Sequence, residues 1–138
     1  MGARVTGLEA APEALAAARD HAASEGLTID YRDGTPEMLA AEGMAFDAVV
    51  ALEVIEHVED RDAFLAALAG LVKPGGQVFL STLNRTARSF LMAKLGAEYL
   101  LRLLPIGTHD WRMFVTPGEL GTGLRRAGLT VTDMAGMS

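Results

Sequence analysis

Two carboxylates and an imidazole follow directly on a strand-like stretch in the segment FDAVVALEVIEHV, residues 46–58. The first part, FDAVVAL, is rich in apolar and β-branched residues and predicts a strand buried on both faces. Glu53, Glu56 and His57 come immediately after it, where a buried strand has no structural use for ionisable side chains. These three residues are therefore the first candidates for chemistry.

The spacing of the three residues allows two interpretations. If a helical turn begins near Glu53, then Glu56 or His57 lies on the same helix face as Glu53. Such a face can hold a hard divalent cation, or a carboxylate can orient His57 as a general base. Alternatively, Glu53, Glu56 and Glu59 form a solvated helix entrance, and His57 caps a neighbour. Spacing alone leaves both interpretations open.

The elements that must position these residues alternate between strand-like and helix-like patterns, without an internal repeat. Proline at helix starts and glycine at helix ends mark the boundaries, with Asp60 or Asp62 and Thr116 as caps and Pro74 as a stop. Strands are predicted at residues 3–9, 27–31, 46–52, 77–83 and 129–134, and helices at 12–26, 60–76 and 116–128. Strands separated by helices imply right-handed crossovers and a mostly parallel sheet. The expected fold class is α/β, doubly wound.

Residues just past the strand ends are further candidates, because ligands of such sheets sit beyond the carboxyl ends of the strands. Glu9 ends the first strand, where an acid commonly accepts hydrogen bonds from both ribose hydroxyls of a nucleotide. Asp33 follows the second strand and can hold an adenine amino group, while Gly34 lets a ring approach the backbone. The plainer interpretations are a solvated acid at a helix start and a simple Asp33-Gly34 turn.

Composition narrows the possible functions. The chain has 138 residues, half of them hydrophobic, which is enough for one domain with one core. It contains no cysteine, which excludes a disulfide, a thiolate metal site and a cysteine nucleophile, and suits a reducing cytoplasm. The net charge of -6 argues against nucleic acid as a partner. Neither a signal-peptide pattern nor an apolar run of about 18 residues is found.

The segment FDAVVALEVIEHVEDRDAFLAALAGLVKPGGQVFLSTLNR, residues 46–85, resembles the central block of class I S-adenosylmethionine-dependent methyltransferases. LEVIEHV at a strand end and the LVKPGG turn before the next strand carry this resemblance. Within that superfamily, STLNR together with GAEYLLRLLPIGTHDW, residues 96–111, is similar to the ubiquinone-biosynthesis O-methyltransferases. The similarity covers nearly the whole chain and implies a Rossmann-like sheet.

The resemblance implies O-methylation of a polyprenylated catechol or phenol, a lipid-like quinone precursor, with S-adenosylmethionine as methyl donor. It implies that Glu9 binds the cofactor ribose and that Leu52 lies against the cofactor. It also matches Glu53, Glu56 and His57 to residues of a magnesium site and of substrate-hydroxyl activation. A bound Mg²⁺ would act as a Lewis acid on the phenol, whereas without it His57 would take the proton directly. The sequence does not choose between these routes.

Part of the family pattern is not found in this sequence. The family's first strand and glycine-rich loop are expected before GARVTGLE, residues 2–9, and an antiparallel hairpin is expected after residue 138. Residues 1–138 are therefore expected to form a single partial domain in which Val5 and Val49 line unpaired strand edges. The alternatives are a methyltransferase for another small molecule, a dehydrogenase-type nucleotide-binding module that uses Glu9, and a non-catalytic fragment.

The segment RSFLMAKLGAEYLLRLLPIG, residues 88–107, predicts an amphipathic helix with Arg88, Lys94 and Arg102 on its polar side. One interpretation is an ordinary helix packed on the domain. The other is a helix in the interface of an anionic membrane, which makes residues 85–112 an insertion that admits a polyprenylated substrate. On this interpretation the loop at Pro105 and GTHDW closes over the ring. The protein would be cytoplasmic, peripherally associated with the inner membrane, in a homo-oligomer or a biosynthetic complex.

Overall fold

The computed structural model describes residues 2–82 and 115–136, which contain four strands, four α-helices and one short 3₁₀-helix. The strands are β1 (Val5–Glu9), β2 (Ile29–Asp33), β3 (Phe46–Leu52) and β4 (Val72–Ser81). The α-helices are α1 (Pro12–Ser24), α2 (Pro36–Ala41), α3 (Arg61–Leu71) and α4 (Pro117–Arg126), and the 3₁₀-helix is Ile55–His57. No helix in the described part is long and apolar enough to cross a membrane.

The four strands form two parallel pairs. β1 pairs with β2 in a register that sets Glu9 opposite Asp33, and β3 pairs with β4 so that Leu52 lies opposite Ser81. Parallel strands connected through helices confirm the predicted α/β fold class. Among the described strands, β1 and β3 each have a single partner, which leaves one edge of each unpaired as expected at Val5 and Val49.

The prediction that β3 is buried on both faces is wrong. Val49 and Ala51 pack into the core, but Val50 and Leu52 on the opposite face are 63% and 58% exposed. β4 alternates in the same way, since Phe79 is half-exposed beside Val50. The reason is that the core against which this strand pair packs lies on one side of it, so the second apolar face stays open in the described part of the chain.

The core lies between the β3–β4 pair and the helices α3 and α4. Its buried members are Ala51, Ile55, Phe64, Leu65, Leu68 and Val115. Ile55 is only 1% exposed, so the first residue of the 3₁₀-helix anchors that turn in the core. Full burial of such a side chain contributes roughly 1.5–3 kcal/mol. The turn that carries Glu56 and His57 is therefore fixed by apolar packing.

The predicted helix starts are confirmed. Asp60 caps α3, with its Oδ1 accepting a hydrogen bond from the Ala63 N–H at 2.9 Å. Thr116 and Glu119 form a reciprocal capping box at the start of α4. The short helix α2 was not predicted, although Thr35 before a proline is the same kind of start signal.

Two predicted elements differ most from the structure. The helix expected to be stopped by Pro74 ends at Leu71, and β4 begins at Val72, whose φ of -95° and ψ of 131° are extended. Pro74 disfavours a helical conformation at the residue before it, and Gly76 lies close to the Asp47 carbonyl of β3, which brings the chain into the sheet early. Residues 129–134, predicted as a strand, form none, because they pair with no described strand.

Candidate functional site

The strand registers bring three of the predicted nucleotide contacts together at the carboxyl end of the β1–β2 pair. Glu9 lies opposite Asp33, and the Gly34 N–H donates to the Glu9 carbonyl oxygen at 3.3 Å. Gly34 has a φ of 138°, which favours glycine, and a Cβ added there would lie 3.2 Å from the Met38 sulfur. A side chain at this position would therefore be strained and would crowd Met38, which explains the glycine structurally.

The Glu9 carboxylate has both a structural contact and a free oxygen. Its Oε1 accepts a hydrogen bond from the Ala11 N–H at 2.9 Å, just before α1 begins. Its Oε2 has no hydrogen-bond partner among the described residues. The plain interpretation of Glu9 as an acid at a helix start is thus correct for one oxygen. The other remains available to a ribose hydroxyl.

The expected helical turn at Glu53 is not formed. Glu53 has a φ of 55°, in the left-handed region that non-glycine residues seldom occupy, and the 3₁₀-helix starts only at Ile55. The physical reason is that strand pairing continues past β3, since the Glu53 N–H donates to the Ser81 carbonyl oxygen at 3.1 Å. Glu53 therefore does not share a helix face with Glu56 or His57.

A hydroxyl group fixes the Glu53 side chain. The Ser81 hydroxyl donates to Glu53 Oε1 at 2.6 Å, and the Glu53 N–H lies 3.2 Å from the same Ser81 Oγ. A short contact of this kind is typical of a charge-assisted hydrogen bond to a carboxylate. One serine thus binds both the backbone and the carboxylate of Glu53.

Glu56 is a buried carboxylate with one oxygen unused. The residue is 3% exposed, and its Oε2 accepts a hydrogen bond from the Thr82 hydroxyl at 3.1 Å. Its Oε1 is buried and has no hydrogen-bond partner among the residues that the structure describes. A buried unsatisfied polar atom costs roughly 1–3 kcal/mol, more when it is charged, so native proteins keep one mainly where it has a function. The Glu56 carboxylate is therefore a candidate ligand contact.

His57 ends the 3₁₀-helix and is exposed to solvent. Its backbone N–H donates to the Val54 carbonyl oxygen at 2.9 Å, which fixes the chain while the ring remains accessible. Within residues 2–82 and 115–136, no group of three or more acidic or histidine side chains is placed to hold a metal ion. In the described structure, Glu53, Glu56 and His57 therefore do not converge as the ligands of one metal ion. The magnesium site stays a prediction.

Sequence reasoning missed Ser81 and Thr82 as parts of this site. Both belong to the STLNR stretch, which stood out as subfamily-specific without any role assigned to its hydroxyl groups. The available signal was their position near the end of the strand predicted at residues 77–83, since ligands of such sheets sit beyond the strand ends. The predicted membrane contacts Arg88, Lys94 and Arg102 lie outside the described residues, as do residues 85–112 with the GTHDW loop.

Comparison with known proteins identifies the family to which the chain belongs. Residues 1–80 match the family model described as a methyltransferase domain. The chain is 53% identical over 137 residues to a ubiquinone biosynthesis O-methyltransferase of Cereibacter sphaeroides, covering 99% of this chain and 56% of that protein. Proteins of the same name from Methylobacterium nodulans and Xanthomonas axonopodis pv. citri are 52% and 50% identical and are covered to 55% and 58%. The chain therefore spans little more than half the length of these relatives.

Solved structures share the fold. One, described by the words "Conversion of a Disulfide Bond into a Thioacetal Group during Echinomycin Biosynthesis", superposes with a TM-score of 0.69 at 26% identity, covering 89% of this chain and 52% of that chain. The cyclase SpnF superposes with a TM-score of 0.68 at 23% identity, covering 94% and 43% of the two chains, which shows the fold alone. From the family match over residues 1–80, the chain belongs to the methyltransferase-domain family.

Proposed function

We propose that the full-length protein transfers a methyl group from S-adenosylmethionine to a hydroxyl of a polyprenylated catechol or phenol in ubiquinone biosynthesis. Full-length protein here means the longest natural chain that contains residues 1–138. The observation that carries this proposal is identity of about half the residues, along 99% of the chain, with proteins named ubiquinone biosynthesis O-methyltransferase.

The β1–β2 pair supplies the cofactor side of the proposed site. The free oxygen of Glu9 accepts from the ribose hydroxyls, and Asp33 on the neighbouring strand accepts from the adenine amino group. Gly34, which follows Asp33, adds no side chain of its own beside the adenine ring. Leu52, exposed at the end of β3, lies against the cofactor.

The end of the β3–β4 pair supplies the acceptor side. The acceptor oxygen attacks the sulfonium methyl in line, so that an O–C bond forms, the S–C bond breaks and S-adenosylhomocysteine leaves. His57 is exposed and takes the phenolic proton as a general base. Glu53 and Glu56 orient the acceptor through hydrogen bonds from its hydroxyl groups. Mg²⁺, when bound, would supply Lewis acidity to a phenol oxygen, but the described residues do not gather a ligand set for it, and the route above does not depend on it.

The remaining part of the proposal concerns location. The prenyl tail of the substrate dissolves in a membrane, so the enzyme must reach the membrane surface. A cytoplasmic protein that binds the inner membrane peripherally meets this requirement. Arg88, Lys94 and Arg102 supply the contact with anionic lipid. A homo-oligomer or a biosynthetic complex would pass the substrate on without releasing it into water.

The competing functions make different predictions. A dehydrogenase-type module would bind a nicotinamide nucleotide at Glu9, whereas the family match over residues 1–80 favours the methyl donor. A methyltransferase for another small molecule would use the same cofactor with a different acceptor. A non-catalytic fragment would transfer nothing.

Methyl transfer by the full-length protein tests the proposal. A catechol with a short prenyl tail is incubated with S-adenosylmethionine carrying a deuterated methyl group, and the product is analysed by mass spectrometry. The expected product carries one labelled methyl group on oxygen, and Glu53→Gln lowers its rate of formation. Mg²⁺ titration of the parent and of this variant shows whether the rate depends on the metal through Glu53. Absence of label from every catechol and phenol tried would refute the proposed function.

A further inference from the structure

We propose that Ser81 and Thr82, at the end of β4, are positioning residues for the acceptor side of the site. Their hydroxyl groups hold one oxygen of Glu53 and one oxygen of Glu56, respectively. Each carboxylate is thereby left with one oxygen to bind the acceptor. This inference rests on the proposed function, since it assigns roles around the same carboxylates.

Ser81 determines the conformation of Glu53 at three points. Its carbonyl oxygen and its Oγ both accept from the Glu53 N–H, at 3.1 and 3.2 Å, and its hydroxyl proton is donated to Glu53 Oε1 at 2.6 Å. Such contacts offset the cost of the left-handed backbone at Glu53, which is of the order of 1–2 kcal/mol. Because the hydroxyl occupies Oε1, the second carboxylate oxygen of Glu53 is the one that faces a ligand.

Thr82 has the same role at the buried carboxylate. Its hydroxyl donates to Glu56 Oε2, and Glu56 Oε1 remains buried without a partner in the described part of the chain. Ile55, which is 1% exposed, holds the same turn in the core. The Thr82 hydroxyl therefore selects which oxygen of Glu56 is left unsatisfied.

Together the two hydroxyls give the end of the β3–β4 pair two carboxylates with one free acceptor oxygen each. A substrate with two neighbouring hydroxyl groups offers one donor to each carboxylate, whereas a simple phenol offers a donor to only one. Ser81 and Thr82 thus act through Glu53 and Glu56 and do not touch the reacting atoms themselves.

The experiment compares hydroxyl-removing and hydroxyl-retaining variants of the full-length protein. Ser81→Ala and Thr82→Val remove the hydroxyl groups, while Ser81→Thr and Thr82→Ser retain them. Thr122→Val is the matched control, because the Thr122 hydroxyl makes its contacts within α4: it donates to the Gly118 carbonyl oxygen at 2.8 Å and accepts from Arg125 Nη2 at 3.5 Å. For each variant, kcat and KM are measured with a catechol and with the matching phenol, and the dissociation constant of S-adenosylhomocysteine is measured by calorimetry.

We expect Ser81→Ala and Thr82→Val each to lower kcat/KM for the catechol by about 10–100-fold, the effect of one lost hydrogen bond to a charged group. The rate with the phenol should fall less, and affinity for S-adenosylhomocysteine should stay within about twofold, because the ribose contact lies on the other strand pair. The hydroxyl-retaining variants should recover most of the loss. Thr122→Val should behave as the parent.

Three results would overturn the inference. Parent-like catechol kinetics of both hydroxyl-removing variants would show that the hydroxyls position nothing. If the hydroxyl-removing variants lost affinity for S-adenosylhomocysteine by the same factor as kcat/KM, the role of the hydroxyls would be purely structural. Failure of the hydroxyl-retaining variants to restore activity would show the same. If the parent itself transfers no methyl group, the proposed function fails before this comparison begins, so the two failures are distinguishable.

Discussion

Ser81 Oγ lies 2.6 Å from Glu53 Oε1 and connects the last residue of β4 to the residue that follows β3. The same Ser81 Oγ also accepts a hydrogen bond from the Glu53 N–H. Ser81 therefore stabilises the left-handed backbone of Glu53, whose φ is 55°. Backbone conformations of this kind are costly and cluster at functional sites. The left-handed backbone of Glu53 thus costs stability, while the contact with Ser81 fixes the position of the Glu53 carboxylate.

Replacing Glu53 should separate stability from activity. Asparagine tolerates the left-handed region better than glutamate, so the relief of backbone strain in Glu53→Asn should offset the lost hydrogen bond from Ser81. We expect the free energy of unfolding to change by less than about 1 kcal/mol, and methyl transfer to fall by about tenfold or more. Urea denaturation and initial rates of the full-length protein measure the two quantities. A loss of several kcal/mol would show that the Glu53 carboxylate has a mainly structural role.

Gly76, in the first half of β4, gives a prediction about the close approach of two backbone segments. A Cβ at Gly76 would lie 2.7 Å from the Asp47 carbonyl oxygen and 3.0 Å from the Lys73 carbonyl oxygen, and neither backbone atom can move easily. Gly76→Ala should therefore destabilise the protein by roughly 1–3 kcal/mol. Gly118→Ala is the control, since nothing lies within 4 Å of its added Cβ and the site is in α4, where alanine is favoured by about 0.5–1 kcal/mol. Equal melting temperatures of the two variants would contradict this account of Gly76.

Much of the fold follows from local signals in the sequence, and the differences have physical causes. Thr116 was identified as a cap because the capping box and the proline after it are local features. The exposure of Val50 could not be predicted, because an apolar strand does not reveal which of its faces finds a partner. The left-handed conformation of Glu53 depends on Ser81, a residue 28 positions away, so spacing along the chain gave no sign of it. A site whose contacts depend on strand register can be predicted only after the register of the strands is known.

A pH prediction concerns the surface pair at the start of β3. The hydrogen bond from Lys73 Nζ at 2.9 Å, followed by its charge, lowers the pKa of Asp47 from its ordinary value of 3.8. Since the folded pKa is the lower one, this contact stabilises the fold above the ordinary pKa, and its contribution disappears as pH falls through the folded value. Lys73→Met should raise the pKa of Asp47 toward its ordinary value in an NMR titration of the carboxyl carbon. An unchanged Asp47 titration would show that the contact is not populated in solution.

Because Asp47 and Lys73 are largely exposed, the same substitution should change the melting temperature little at neutral pH.

Membrane binding is tested through charge reversal in the segment of residues 88–107. Near an anionic surface each basic residue contributes about 1 kcal/mol, so Lys94→Glu with Arg102→Glu should greatly reduce sedimentation of the full-length protein with anionic vesicles. Raised salt should have the same effect on the parent. The control is Arg125→Glu with Arg126→Glu, an equal charge change at the exposed end of α4. Equal co-sedimentation of the Lys94/Arg102 variant and the parent would show that the segment does not bind the membrane.

The central claim is that the carboxyl ends of these strands bind S-adenosylmethionine, and calorimetric titration of the full-length protein with S-adenosylhomocysteine tests it most directly. Glu9→Ala removes the carboxylate opposite Asp33, and the expected loss of binding free energy is about 1.5–3 kcal/mol, that of a charge-assisted hydrogen bond. Glu13→Ala, in the first turn of α1, is the matched control and should bind as the parent does. Equal affinity of the Glu9→Ala variant and the parent, or no binding by the parent at all, would contradict the claim.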